Sequence, residues 1–551
     1  MTKIQGEETI DIPILNGIDP SFSPESAVYN QTMINLLQKD NQLQIRDDYL
    51  LLMEIGKTPR AIPVTSPVPV NIGAKDVEVF SCSGSQTVDS PSILFCFDDG
   101  TTRDVTWINC NATSPISTTQ TMSVAARGVK AFCQYRDRYY ASNFTSTVFR
   151  MSNFVTGGPT ITVTDLFAQA GINILVTFKN RIFGMATNRI YYTDLPAIGG
   201  YPETWSAAVN FIDLPTTDFD VTIYSVIPYK DKLYLFTNRG IYLLTANGDV
   251  TNWSVQVVSS DFSVFNKDSV CVNKNIIFFT NQHGVFSFDG SSFKDITGSI
   301  SGAWTMWNPT FYIYQQARLF PYEDGVVLEY NAFGNNVGNY VVYGSARTFY
   351  YNMKIWVEIT SGISATNQQS SFLKIGIGLV PFRGRTPTTW MAYKHRDASV
   401  GNLWRIIIVD KNRWSGDCFN TNWASARTQK QWQLVGPSFY MLHDQRIRVK
   451  YFEIYLYYIE SVYAISAQGN DSPFNPAGNS LTPADYPGFF NSRWRVPVSG
   501  QVRSNRITIY MIGSSSVASS SNGGNEIPTV IFKVVAVVNT DNIGSDARFT
   551  R

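Results

Sequence analysis

The chain repeats one short phrase four times. "YRDRYYASN", "FKNRIFGMATN", "YKDKLYLFTN" and "VNKNIIFFTN" end on Asn143, Asn188, Asn238 and Asn281, so the copies recur every 43 to 50 residues. A period of this size belongs either to four-stranded propeller blades or to helical repeats such as HEAT and armadillo. Local texture decides for strands. "ILVTF", "TIYSVIPY" and "SVCVNKN" run apolar or alternate over short stretches bounded by turn residues.

The third copy displays all four strands: "VTIYSVIPY", "KLYLFT", "GIYLLTA" and "SVQVVSS". The Lys-Asp, Asn-Arg and Asn-Gly steps near them are turn chemistry, because Asn, Asp and Gly tolerate positive φ. Trp205 and Trp253 follow the third strand of their copies, where a large ring can wedge between neighbouring blades. A lone blade leaves both faces wet, so the copies must stack around an axis. "SILFCFDDGTTRDVTWI" (92–108) reads as a degenerate hairpin, and "ARLFPYEDGVVLEYN" with "RTFYYNMKIWVEIT" as the last blade. Residues 76–360 are therefore predicted to be a propeller of about six blades, within the usual four to eight.

The ends read differently. Residues 1–75 are rich in Pro, Ser, Asn and Gln, and Pro59, Pro63, Pro67 and Pro69 break any regular element. An extended N-terminal arm is expected, which either docks on a partner or wraps its own domain. Residues 361–374, opening with "SGISATNQQSS", have a linker's composition, and 375–551 read as a β-sandwich-like domain. In this domain "SNRITIYMIG" and "TVIFKVVAVV" are expected to pair around a Ser/Gly-rich insert. The fold class is thus all-β: arm, propeller, then sandwich.

Chemistry is sparse. The 44 Lys+Arg against 43 Asp+Glu leave a formal charge of +1, with no global basic signature of nucleic-acid binding. Six cysteines lack metal-ligand or disulfide spacing, and His283, His395 and His443 lie apart from one another and from any nucleophile motif. No catalytic, cofactor or metal site is expected, and no apolar run is long enough to span a membrane. Asp213, Asp218 and Asp220 in "FIDLPTTDFD" are the aspartates that a cation or sugar would need, against an ordinary role in loop solvation and Asx-turns. Basic residues recur at strand spacing: Arg446, Arg448 and Lys450 in "RIRVK", and Arg493 and Arg495 in "RWRV". Each set falls on one strand face, either lining a channel past which phosphates move or forming the wet side of a sheet. Tyr451, Tyr455 and Tyr457 share a face of "VKYFEIYLYYIE", fit for a subunit interface or for an intramolecular lid.

"NRIYYTDLPAIGGYPETW", "FIDLPTTDFDVTIYSVIPYKDKLYLFTNRGIYLLT" and "RWRVPVSGQVRSNRITIYMIG" resemble the tail nozzle, or tail-hub stabilisation, proteins of short-tailed bacteriophages. The resemblance runs from about residue 120 to the end and rests on texture and domain order. It implies a structural, non-enzymatic virion protein, made in the host cytoplasm. Such a protein forms a six-copy ring beneath portal and adaptor, continues the DNA channel, contacts tail fibres, and retains and then releases the genome. DNA would touch it only transiently and without sequence preference. A glycan-binding propeller or glycoside hydrolase is the alternative, and it requires carboxylates from different blades to converge at one mouth. A cellular interaction hub is a third reading, since propellers host all of these.

Overall fold

The computed structural model describes residues 7–12, 15–17, 32–39, 41–55, 77–82, 92–98, 103–109, 117–121, 129–143, 147–152, 162–206, 208–215, 220–302, 304, 317–331, 334–337, 340–343, 346–359, 370–379, 388–397, 401–410, 431–440, 445–456, 463–469, 480–481, 492–497, 503–504, 506–514 and 530–542. Each repeated phrase is the heart of an antiparallel four-stranded sheet. The third copy forms Ile223–Tyr229, Lys232–Thr237, Ile241–Thr245 and Ser254–Ser259, paired in chain order. The same up-and-down order holds for the sheets built from 77–121, 131–168, 174–213 and 270–295.

The repeated residues are turn and cap chemistry. Lys179–Asn180, Lys230–Asp231 and Lys274–Asn275 all take positive φ, between 45° and 59°. Two such residues in succession give the mirror-image turn whose twist matches the strands it joins. The closing asparagines satisfy backbone donors at the opposite end. Asn238 Oδ1 accepts from Thr222 N at 2.8 Å, Asn143 Oδ1 from Thr147 N at 3.0 Å, and Asn281 Oδ1 from His283 N at 2.7 Å. Second strands such as Lys232–Thr237 are buried at five consecutive positions, as expected of strands covered on both faces.

The innermost strands stand side by side around an axis: Val77–Cys82, Ala131–Tyr135, Ile174–Phe178, Ile223–Tyr229, Val270–Asn273, Arg318–Tyr322 and Ser370–Leu379, the last meeting the first. Among the described residues the ring therefore has seven sheets, against the roughly six expected. Arg318–Tyr322, Gly325–Asn331, Ala346–Tyr351 and Trp356–Glu358 make the sixth, where the sequence placed its last blade. The seventh combines Ser370–Leu379, Thr388–Asp397 and Gly401–Asp410 with Asp48–Ile55 of the arm. The division drawn at 361–374 and 375 thus cuts through a blade. Period analysis missed this blade because its fourth strand comes from the other end of the chain. Of the expected linker, 361–369 lie outside the described residues.

The arm wraps its own chain. Beyond closing the ring, its strand Thr32–Ile34 pairs on one side with Trp356–Glu358 of the sixth sheet and on the other with Gln431–Tyr440. One continuous nine-stranded sheet results, passing from propeller into C-terminal domain. Leu36–Lys39 and Gln42–Ile45 form a hairpin on the edge of Val530–Asn542, and Glu7–Ile12 extends along the same strand. Among the described residues the C-terminal domain comprises two sheets, and Arg506–Ser514 and Val530–Asn542 lie in different ones. They do not pair with each other as expected. Residues 515–529 separate them, far more than the short turn that holds a hairpin. One core joins arm, propeller and sandwich, with Met33, Leu43, Tyr49, Phe320, Trp356, Trp432 and Ile454 all buried in it.

Candidate functional site

Two features of the described propeller gather chemistry-bearing side chains. The first is the axial mouth where the inner strands begin. Lys130 and Asn173 directly precede the second and third inner strands, and Lys267 and Asp268 lie in the short turn before the fifth. With Phe80 and Tyr224 they line a cavity of about 140 Å³. Asp268 faces Arg318 of the sixth sheet, Oδ2 to Nε 3.9 Å. Asn173 Oδ1 is shielded from solvent and has no hydrogen-bond donor among the described residues. The sequence reading missed these residues; aligning the position just before each inner strand would have exposed them.

The second feature is the long segment 193–210 between the third and fourth strands of the third sheet, which straps onto the second sheet. Glu203 is its anchor. Its Oε1 accepts from Arg138 Nη1 at 2.6 Å, Tyr140 Oη at 2.9 Å and Arg150 Nη1 at 3.0 Å, while Oε2 accepts from Arg150 Nη1 at 2.9 Å. Partial burial pushes the Glu203 carboxyl up, but the hydrogen bonds from Arg138, Arg150 and Tyr140 outweigh it and hold it below the usual range. Tyr201 donates to Asp137 Oδ1 at 2.8 Å and lies under the Arg138 guanidinium, 3.4 Å from its ring centre. Trp205 stacks on Phe167 of the second sheet at 3.7 Å between centroids, and Trp253 sits 5.0 Å from Tyr192 of the third. Both tryptophans are wedges between blades, as expected. The strap's tip exposes Leu195 and Ile198.

The basic residues singled out from the sequence lie in the C-terminal domain on neighbouring strands of one sheet. Arg446 and Arg448 stand opposite Asp541 and Asn539 on Gln445–Leu456, while Arg493 and Arg495 stand opposite Tyr455 and Glu453. Pairing with Val530–Asn542 skips Lys450, which is a bulge position. The bulge shifts the pleat by one residue and brings 446 and 448 into phase with 451, 453 and 455. Strict period two would have put the two sets out of phase. The five side chains themselves lie outside the described part. Tyr451 and Tyr455 are half-buried, with Tyr455 Oη 3.4 Å from Glu453 Oε2, and Tyr457 lies outside the described residues.

Asp213 and Asp220, the described aspartates of this set, have separate roles. Asp213 is on the outermost strand of its sheet, held by Arg189 Nε at 2.6 Å and Nη2 at 3.0 Å. Asp220 offers its backbone carbonyl to Asn238, and Asp218 lies outside the described residues. Among the described residues no group of three or more His, Cys, Asp or Glu could hold a metal ion, and no helix is long and apolar enough to cross a membrane.

No protein-family profile and no curated protein matches this sequence. Among solved structures the chain is similar to WD40 propellers. The Neurospora crassa Pan2 WD40 domain is 10% identical with a TM-score of 0.38, covering 66% of this chain and 96% of that one. The Doa1 WD40 propeller is 12% identical with a TM-score of 0.34, covering 66% and 99%. The Toxoplasma gondii coronin WD40 domain is 11% identical with a TM-score of 0.32, covering 62% and 88%.

Proposed function

We propose that this chain is a structural, non-enzymatic subunit of a virion tail: the nozzle or hub ring below portal and adaptor in a short-tailed phage. Copies of it, six in our reading, close a hollow assembly that continues the DNA channel and contacts tail fibres. The observation that carries the structural role is the sheet running without a break from the sixth blade through Thr32–Ile34 into the C-terminal domain. Shared backbone hydrogen bonding makes the two domains one stiff body, which suits a load-bearing ring better than a hinged enzyme. The resemblance of "NRIYYTDLPAIGGYPETW" and its companions to tail nozzles supplies the virion setting. In the ring, Arg446, Arg448, Lys450, Arg493 and Arg495 face the lumen and hold passing DNA by loose, salt-sensitive contact.

Quantitative mass spectrometry of purified particles tests this reading. About six copies per virion, the number the resemblance to tail nozzles implies, is the expected result. Absence of the chain from the particle refutes it.

A further inference from the structure

Two Asn-Gly steps lie among the described residues, 16–17 and 247–248, and the fold treats them in opposite ways. We propose that Asn247 is a site of spontaneous deamidation, promoted by Lys179, and that Asn16 is not. The inference does not depend on the virion reading.

In such a step the glycine amide nitrogen attacks the asparagine carboxamide carbon, and glycine leaves that approach open because it has no side chain. The third strand of the fourth sheet ends at Thr245. Buried Ala246 then seats the chain in the core that Phe178 shares, and Asn247, Gly248 and Asp249 emerge exposed. Gly248 takes a φ of +66°, and an added Cβ there would meet nothing within 4 Å. Among the described residues nothing accepts a hydrogen bond from its N–H, so the nucleophile is unengaged. The electrophile is held by a cation: Lys179 Nζ, from the first turn of the third sheet, donates to Asn247 Oδ1. That oxygen carries the negative charge of the tetrahedral intermediate, which an ammonium donor stabilises. Asn16 has no such opening. Gly17 is buried, an added Cβ would lie 3.0 Å from Ile355 Cβ and 3.1 Å from Trp356 O, and both residues are engaged by neighbours. Attack requires this segment to move, and close packing resists that.

The chemistry balances with water alone. Attack forms the bond from Gly248 N to Asn247 Cγ and breaks the bond from Cγ to the amide nitrogen, and ammonia leaves with the proton of the Gly248 amide. Water then opens the cyclic imide at Cγ to give aspartate, or at the main-chain carbonyl to give isoaspartate. The aspartate product sets a carboxylate against Lys179, so that a contact with a neutral amide between the third and fourth sheets becomes an ion pair.

The test incubates the full chain folded and, in parallel, unfolded in guanidinium chloride, and follows both by peptide mapping that separates asparagine, aspartate and isoaspartate. In the folded chain Asn247 should convert to both acids while Asn16 stays an amide; in the unfolded chain both should convert. Asn522–Gly523 lies outside the described residues and is read in a separate peptide. Lys179→Gln should slow conversion at Asn247 by about threefold or more, less than a dry oxyanion site loses with one donor because this site is wet. Lys230→Gln is the control and should leave the rate unchanged. Lys230 fills the same turn position in the fourth sheet, where its Nζ bonds Asp289 O at 2.6 Å. Thermal unfolding checks both variants, and the wild-type comparison decides the site whether or not they fold. The proposal is overturned if Asn247 keeps its amide in the folded chain, if Asn16 converts in step with it, or if Lys179→Gln reacts as fast as wild type. A cross-linked peptide joining Lys179 to Asn247 also overturns it, because the lysine is then the nucleophile.

Discussion

Glu203→Gln is the sharpest test of how the strap is held. The wild-type carboxylate takes two guanidinium donors and one phenol, with the side chains of Glu203, Arg138 and Arg150 each 23% exposed. Glutamine keeps the shape, removes the charge, and turns a donor toward guanidiniums that only donate. Breaking a fully buried pair costs about 3–5 kcal/mol; the exposure here screens part of that, leaving about 2 kcal/mol. The loss is local, because the strap's own ties, such as Asp194 N to Thr204 O at 2.9 Å, open without unfolding the ring. Native-state hydrogen exchange read on peptides from 193–210 should accelerate about 30-fold, the equivalent of 2 kcal/mol. The effect also has a pH signature. Because the folded carboxyl is held below its ordinary value of 4.5, its contribution is complete above that value and fades as pH falls through the folded one. The exchange ratio between variant and wild type must therefore shrink in acid. A ratio below about threefold at neutral pH, on the same free-energy scale, would refute the clamp.

Gly184 has no room for a side chain: an added Cβ would lie 2.9 Å from Trp205 Cη2 and 3.0 Å from Ile172 Cδ1. Gly184→Ala should displace the Trp205 wedge and cost about 1–3 kcal/mol in urea unfolding, with a shift in tryptophan emission. Tyr49→Ala, at a fully buried ring beneath the Arg46 guanidinium, should destabilise by about 3–5 kcal/mol, checked by the same urea titration. Asp11→Ala removes an exposed ion pair with Lys533 and should change urea stability by less than about 0.5 kcal/mol. If Arg446 and Arg448 line a DNA channel, charge-neutral glutamines at both positions should lower the salt dependence of DNA retention by the assembled ring, measured by ejection at rising ionic strength.

The repeated blades were legible because their information is local. Period, turn residues and apolar strands all lie within one copy, and the tryptophan wedges follow from the same alignment. The seventh blade was not legible, since Asp48–Ile55 pairs with Gly401–Asp410 and nothing near either strand announces the other. The bulge at Lys450 was equally hidden. It is defined by its register against Val530–Asn542, and an alternating sequence reads as unbroken period two. Lys130, Asn173 and Lys267 are unremarkable in sequence, and only the closing of the ring puts them around one cavity. Glu203 hid for the same reason: its partners lie 53 to 65 residues earlier, on another blade.

The arm explains why the two domains behave as one object. Asp48–Ile55 completes the propeller, Thr32–Ile34 bridges it to the sandwich, and Glu7–Ile12 lies along the strand near the chain's other end. These pairings span most of the sequence, as Asp11 and Lys533 show at a separation of 522 residues. Closing loops of that length is slow, so the consecutive blades have the chance to form before the arm seals them. Once sealed, the ring cannot open at its seventh sheet without also releasing a strand tied to the C-terminal domain. The sandwich and the propeller are thus joined through backbone pairing of Thr32–Ile34 with a strand of each. In the proposed tail ring, which would have to keep its shape while DNA is held behind it, that coupling would be a more direct requirement than any catalytic group.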